Sequence, residues 1–303
     1  MTIHDIIDAL KPIDSIIVTQ NYITNALPID AKSFDIKSIG WCADKNAALL
    51  DSIETGTVII STSLNTKLVE SKQEFQFNRI VVDNPRLAFS EVLRLFFVKS
   101  SVYGVVHEKA LIHSSVEINR ATCYIGANVV IEENVQIGNH VTIGANTVVK
   151  SETVINDNVV IGSNCTIGGI GFGYEMNENG QYEQVPHIGN VVIGEKVEIG
   201  NNVCIDRAVM GSTTLDRSVK VDNLVHIAHG VHIQENSLII AHAMIAGSVV
   251  VGKNSWIAPS ASLKQKIKIG DNAVIGIGSV VLKDVEEGET VAGVPAKKIK
   301  VKD

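Results

Sequence analysis

Aliphatic side chains recur at every sixth position along most of this chain. One phase runs Ile125, Ile131, Ile137, Ile143, Val149, Ile155, Ile161, Ile167, and a second runs from Val221 through Ile227, Ile233, Ile239, Ile245, Val251, Ile257, Leu263, Ile269 and Ile275 to Val281. A shorter run, Ile193, Ile199, Ile205, lies between them. A period of six is neither the 3.6 of an amphipathic helix nor the 2 of a half-buried strand. Glycine often follows the aliphatic residue, as at Gly126, Gly138, Gly144, Gly162, Gly194, Gly200, Gly252, Gly270 and Gly276. Because glycine accepts backbone angles closed to other residues, this spacing predicts a turn at each glycine. Three six-residue sides make a triangular coil of about eighteen residues, and stacked coils pair as parallel strands roughly 4.8 Å apart. The pattern predicts a mainly β protein, a parallel β-helix of hexapeptide repeats with its aliphatic ladders inside.

The register breaks twice, at "GGIGFGYEMNENGQYEQVPHIGN" after Ile167 and at "DRAVMGSTTLDRSVK" after Ile205. Both are expected to loop outward from the coil, where binding residues commonly sit. The first hundred residues lack the period. There "TGTVIIS" and "NRIVVDNP" read as buried strands and "RLAFSEVLRLFF" has helical spacing, so residues 1–100 form a small α/β domain. Residues 101–285 are then the β-helix, and residues 286–303, with Pro295 and a lysine cluster, a C-terminal extension that leaves the last coil.

Composition adds a constraint. Hydrophobic residues make up 45% of the 303-residue chain and aromatic ones only 5%, as expected of a narrow prism that admits Val, Ile and Ala but not large rings. The net charge of −7 argues against nucleic acid as a partner. Cys42, Cys123, Cys165 and Cys204 show no CxxC spacing and read as buried free thiols. The N-terminus lacks a signal-peptide pattern and no apolar run is long enough to span a bilayer, so a cytoplasmic protein is expected.

Candidate chemistry concentrates in "VDNLVHIAHGVH", residues 221–232. His226 and His232 each precede an inward isoleucine and should point outward, while His229 falls near a corner. Three histidines strung along one coil do not converge as zinc ligands must, so a metal site is not expected. Eighteen residues after His229 stands Gly247 and eighteen before it Gly211, so the imidazole should border open space between two residues without side chains. A neutral imidazole can take a proton from an amine or hydroxyl nucleophile, and a backbone N–H beside it can hold the oxyanion of a tetrahedral intermediate. That pairing points to acyl transfer, with Asp222 a candidate to orient the ring.

These residues also carry a resemblance. The tract from "GIGFGYEMNENGQYEQVPHIGN" to "NNVCIDRAV", followed by "DNLVHIAHGV" and "IAGS", resembles the UDP-3-O-(3-hydroxyacyl)glucosamine N-acyltransferases of the lipid A pathway, and "VVDNPRLAFSEVLRLF" looks like the end of that family's nucleotide-binding domain. The resemblance implies a homotrimer of left-handed β-helices, no tightly bound cofactor, a UDP-linked amino sugar as acceptor and acyl carrier protein as donor and partner. It implies that His229 is the base, Gly247 the oxyanion donor and Asp222 an acidic residue assisting the base. Trp41 would stack on uracil with Asp44 beside it. Phe172, Tyr174, Asn223 and His226 would lie near the acceptor, and Lys266 would stand on the donor side where the family has a second histidine. Lys266 and the ending "VIGIGSVVLKDVEEGETVAGVPAKKIK", which looks like that of sugar acetyltransferases, favour an acyl-CoA donor as the alternative. A trimeric scaffold or sugar-binding module without chemistry is a further alternative.

Overall fold

The computed structural model describes residues 1–72, 74–98 and 103–299. The chain divides into two compact units, Met1–Ser101 and Val102–Asp303.

In the first unit five strands form a sheet in the order β1-β5-β4-β3-β2, where β1 is Asp14–Ile16, β2 Asn25–Ala26, β3 Ser38–Trp41, β4 Thr57–Ser61 and β5 Asn78–Val82. Only β1 is antiparallel to its neighbour. The run "TVII" of β4 is buried without alternation because apolar clusters cover both faces of the sheet, one built on Leu50, Leu64 and Phe77 and the other on Ile3, Ile6 and Val92. Helix α1 (Ile3–Leu10) starts in a capping box at Thr2, while α2 (Thr62–Glu70) has Ser61 as a simple N-cap and α3 (Pro85–Val92) has Asn84, with proline in its first turn.

The second unit is a left-handed parallel β-helix with sheets of seven, nine and eleven strands among the described residues. Most strands are two residues long and pair with the strand one coil away, as Ile143 does with Ile161 and Ile239 with Ile257. The sixth-position aliphatics are buried in one continuous cluster, and a second inward position two residues earlier is filled by small residues such as Val141, Val159, Val231 and Ala243.

The turns differ from the sequence expectation. The nine glycines that follow the aliphatics do not have positive φ; that conformation falls two residues later, as at Asn128, His140, Asn146 and Asn164, and at the same corner place without a preceding glycine at Asn134 and Asn158. Asparagine tolerates the left-handed region, and its amides form a ladder here, Asn128 to Asn146 at 3.1 Å and Asn146 to Asn164 at 3.2 Å. The glycines are required instead by close packing of coils. A Cβ at Gly144 would lie 2.6 Å from the carbonyl carbon of Gly162, and one at Gly126 2.7 Å from the amide nitrogen of Ala145.

The first insert closes as an antiparallel hairpin, Tyr174–Met176 against Tyr182–Gln184. The second is shorter than the sequence suggested. Ser212–Leu215 returns to the sheet and Leu215 is buried in phase with Val221, so the excursion is confined to the few residues between Asp206 and Ser212. Past residue 285 the coil continues, since Thr290 and Val291 pair with Val274 and Ile275 before Lys297–Lys298 folds back antiparallel. All four cysteines are free thiols, but Cys204 is exposed rather than buried because it sits on an outward strand position. No helix among the described residues is long and apolar enough to cross a membrane.

Candidate active site

The three histidines of residues 226–232 have separate surroundings. His226 and His232 lie on short strands and project outward. His226 Nε2 is 3.6 Å from Asp206 Oδ2, and His232 Nε2 is 2.9 Å from Asp216 Oδ2. Among the described residues no three His, Cys, Asp or Glu side chains converge as metal ligands would.

His229 stands at a corner of the coil. The turn is made by Gly230, at φ 67°, whose N–H donates to Thr213 Oγ1 at 2.8 Å. The ring of His229 rests directly on Gly247 of the next coil: a Cβ there would lie 2.7 Å from both Cε1 and Nε2 of the imidazole. The N–H of Gly247 makes no hydrogen bond among the described residues, and neither do the ring nitrogens of His229. At some corners this N–H is taken by a side chain, as where Asn139 donates to Asp157 at 2.7 Å, Ser163 to Asn201 at 2.8 Å and Lys253 to Asp271 at 2.9 Å, and at others, such as Ala127 and Ala145, it is free as at Gly247. The residue one coil beyond Gly247 is Gln265, which leaves the donor free. A proton acceptor thus adjoins a free N–H, as acyl transfer requires.

On the preceding side the expected neighbour, Gly211, is not against the ring, since a Cβ at that position would meet nothing within 4 Å. The few added residues before Ser212 shift the register, pairing Ile205 with Ile227. The flank of His229 is occupied by the first insert instead. A Cβ at Gly171 would lie 3.1 Å from His229 Cβ and 2.8 Å from Nε2 of His187. The His187 and His229 rings meet edge to face at 5.4 Å. Arg207 fastens the root of this loop, donating from Nε to Gly168 O and from Nη2 to Ser151 O, each at 2.9 Å.

Burial first, and then the neighbouring His187, lower the pKa of His229, while Asp206 opposes them. Burial raises the pKa of Asp206, against the pull of His226, His229 and His187. The first balance keeps His229 a neutral base down to lower pH than a free histidine, and protonation on the acid side abolishes that form. The Cys204 thiol, exposed as a residue but partly enclosed at its sulfur, is pushed up first by that partial burial and then by Asp206.

Asp222 has other partners within this chain. Its carboxylate accepts from the backbone and side-chain amides of Asn223 at 2.7 and 3.0 Å and from Ala241 N at 3.2 Å, and no hydrogen bond joins it to His229. The carboxylate whose charge acts on His229 within this chain is that of Asp206. Asn223 is likewise engaged, its Oδ1 accepting from Asn201 N at 2.7 Å. Sequence reasoning missed His187 and Asp206, although both stand in the quoted tracts, as "VPHIGN" and "NNVCIDRAV".

Phe172 is exposed at the mouth of the loop with Tyr174 beside it, ring centroids 4.9 Å apart. Lys266 occupies a corner one coil beyond Gly247, at φ 64°, and donates its backbone N–H to Gly247 O at 3.0 Å. In the first unit, Trp41 and Asp44 line a cleft of about 540 Å³ with Lys45, Asn84 and Arg86. It lies at the carboxyl ends of β3, β4 and β5, the usual ligand position in an open α/β sheet. Ser61, the N-cap of α2, donates to the Asp44 carboxylate at 2.6 Å.

Residues 120–151 and 134–169 match the family described as bacterial transferase hexapeptide (six repeats). The UDP-3-O-acylglucosamine N-acyltransferase of Campylobacter lari is 40% identical over 270 residues, covering 85% of this chain and 82% of that protein. The enzyme of the same name from Coxiella burnetii is 32% identical over 277 residues and 81% of each chain. Among solved structures, the UDP-N-acetylglucosamine acyltransferase of Francisella novicida superposes with a TM-score of 0.58 at 24% identity, over 64% of this chain and 68% of that one, a likeness of fold.

Proposed function

The chain belongs to the UDP-3-O-acylglucosamine N-acyltransferase family, and on that premise we propose that it moves a 3-hydroxyacyl chain from acyl carrier protein to the 2-amino group of UDP-3-O-(3-hydroxyacyl)glucosamine in lipid A biosynthesis. The observation that carries this reading is the seat of His229 on Gly247, whose N–H is free. The amine attacks the thioester carbonyl as His229 removes its proton, and the Gly247 N–H holds the oxyanion of the tetrahedral intermediate. The attack forms the C–N bond; collapse re-forms the carbonyl, breaks the C–S bond and releases the carrier thiol, which takes the proton back from the imidazolium. Asp206 supplies the negative charge that favours that imidazolium. The reaction so written calls on no metal or bound cofactor. Asp222, bonded to Asn223 and Ala241, keeps the neighbouring corner in shape.

Phe172, Tyr174 and His226 are the side chains offered to the acceptor sugar. The Trp41 cleft is the place for uracil, by stacking, with Asp44 beside it. Trp41→Ala should raise KM for the nucleotide sugar roughly tenfold with kcat nearly unchanged, as expected for lost base stacking. A kcat that fell with KM unmoved would remove uracil from this cleft. The same reading makes the working unit a cytoplasmic homotrimer.

A second donor, a short-chain acyl-CoA, is favoured by Lys266, whose ammonium suits a phosphate as well as an acidic carrier surface. Thiol release with UDP-3-O-acylglucosamine as acceptor separates the two. Turnover with 3-hydroxyacyl carrier protein and none with acetyl-CoA is the expected result; the reverse would assign the coenzyme.

A further inference from the structure

His187 is the one buried histidine side chain among the described residues and has no part in the chemistry above. It is 8% exposed. Nδ1 lies 2.7 Å from the carbonyl oxygen of Val185. A carbonyl only accepts, so Nδ1 carries the proton in the neutral ring and Nε2 presents a bare lone pair. That Nε2 is buried without a partner. The loop is built around the ring: a Cβ at Gly171 would come within 2.8 Å of Nε2, and one at Gly173 within 3.1 Å of Cε1. The two glycines of "GFG" therefore let the backbone close over an imidazole, and that imidazole stands edge to face with His229 at 81°.

We propose that His187 is a positioning residue for the base: held as its Nδ1–H tautomer by Val185 and clamped by Gly171 and Gly173, it braces the ring of His229 so that Nε2 stays over Gly247. The proposal rests on His229 being the base of the reaction proposed above. A histidine at a corner, with neither ring nitrogen hydrogen-bonded, has free rotamers that carry Nε2 off Gly247. A flat, immobile neighbour removes some of them. Misplacement by about an ångström at a reacting centre costs on the order of 10²-fold in rate. His187 also acts on protonation: its bulk keeps water from one flank of His229, and its charged form repels the imidazolium. The other ionisable groups at this cluster are Asp206, which favours the imidazolium, His226, which faces Asp206, and the Cys204 thiol, whose strand pairs with that of His226.

The test uses the full chain with ¹³C,¹⁵N-labelled histidine and the variants His187→Phe and His187→Gln. In the wild type the ¹⁵N shifts of His187 should report the Nδ1–H tautomer; an Nε2–H tautomer would overturn the proposal without any variant. In both variants the NMR titration of His229, assigned by its loss in His229→Ala, should move to higher pH. Turnover should fall roughly ten- to hundredfold in kcat in His187→Gln and less in His187→Phe, whose ring keeps the flat brace, with KM for the acceptor within about twofold and the acid limb of kcat/KM displaced upward in both. A role in loop folding alone would leave the His229 titration where it is, and that result would sink the proposal. The titration needs no substrate. A wrong donor or acceptor would therefore appear as an inactive wild type whose His229 still responds to His187, an outcome distinct from failure of the inference.

Discussion

His229→Ala is expected to lower kcat by on the order of 10²–10⁴, the range for loss of a general base, while leaving the coil folded. The corner can take the substitution, because alanine occupies the same place, two residues past the inward aliphatic, at Ala127, Ala145 and Ala241. The ring makes no side-chain hydrogen bond whose loss would leave a partner unsatisfied. Thermal unfolding should accordingly shift little, and the loss should sit in kcat rather than KM. The pH profile gives a second signature. Burial and His187 lower the pKa of His229, so wild-type kcat/KM should fall on the acid side only as pH drops through a value below that of a free histidine. The residual rate of the variant should lack this limb. A variant within a few fold of wild type would exclude His229 as the base.

The β-helix was legible because each coil side contributes one inward aliphatic per six residues, so the core is written in the chain at a fixed interval. The offset of about eighteen that joins His229 to Gly247 follows from the same regularity. Legibility failed wherever the interval was interrupted. Gly211 was placed against His229 by counting back one coil, but the residues added before Ser212 break that count, and Leu215 was overlooked among polar neighbours although it is buried in phase. His187 reaches the site through the folding of a long insert and Asp206 from the end of the strand that pairs with His226 and Ile227, at an offset the added residues make uncountable.

The glycines show a different limit. The sequence gives their positions, but the reason for them is a distance between coils, a few ångströms of separation that no single coil reveals. A glycine demanded by φ and one demanded by a close neighbour look alike in the chain and respond differently to alanine.

Gly247→Ala turns that difference into a measurement. Gly247 does not have positive φ, and alanine is accommodated at this corner in other coils, so the backbone accepts the change. What the new methyl meets is the imidazole of His229, at 2.7 Å from Cε1 and Nε2, and no real Cβ contact is that short. The ring must turn aside, and the methyl then stands beside the N–H proposed to hold the oxyanion. Loss of one such donor costs on the order of 10²–10³ in kcat, so Gly247→Ala should approach that range with little change in thermal stability. Gly126→Ala should do the opposite. Its methyl meets the backbone nitrogen of Ala145 at 2.7 Å, which cannot rotate away, so overpacking by roughly 1–3 kcal/mol should lower the melting temperature while the folded enzyme keeps its kcat. The double variant His229→Ala/Gly247→Ala separates the two effects of the methyl. If it acts by displacing the base, the double variant should be no slower than His229→Ala, because groups that act as a unit are not additive. If the double variant is slower still, the N–H contributes on its own. A Gly247→Ala enzyme with wild-type kcat would mean that neither the seat nor the N–H takes part in the reaction.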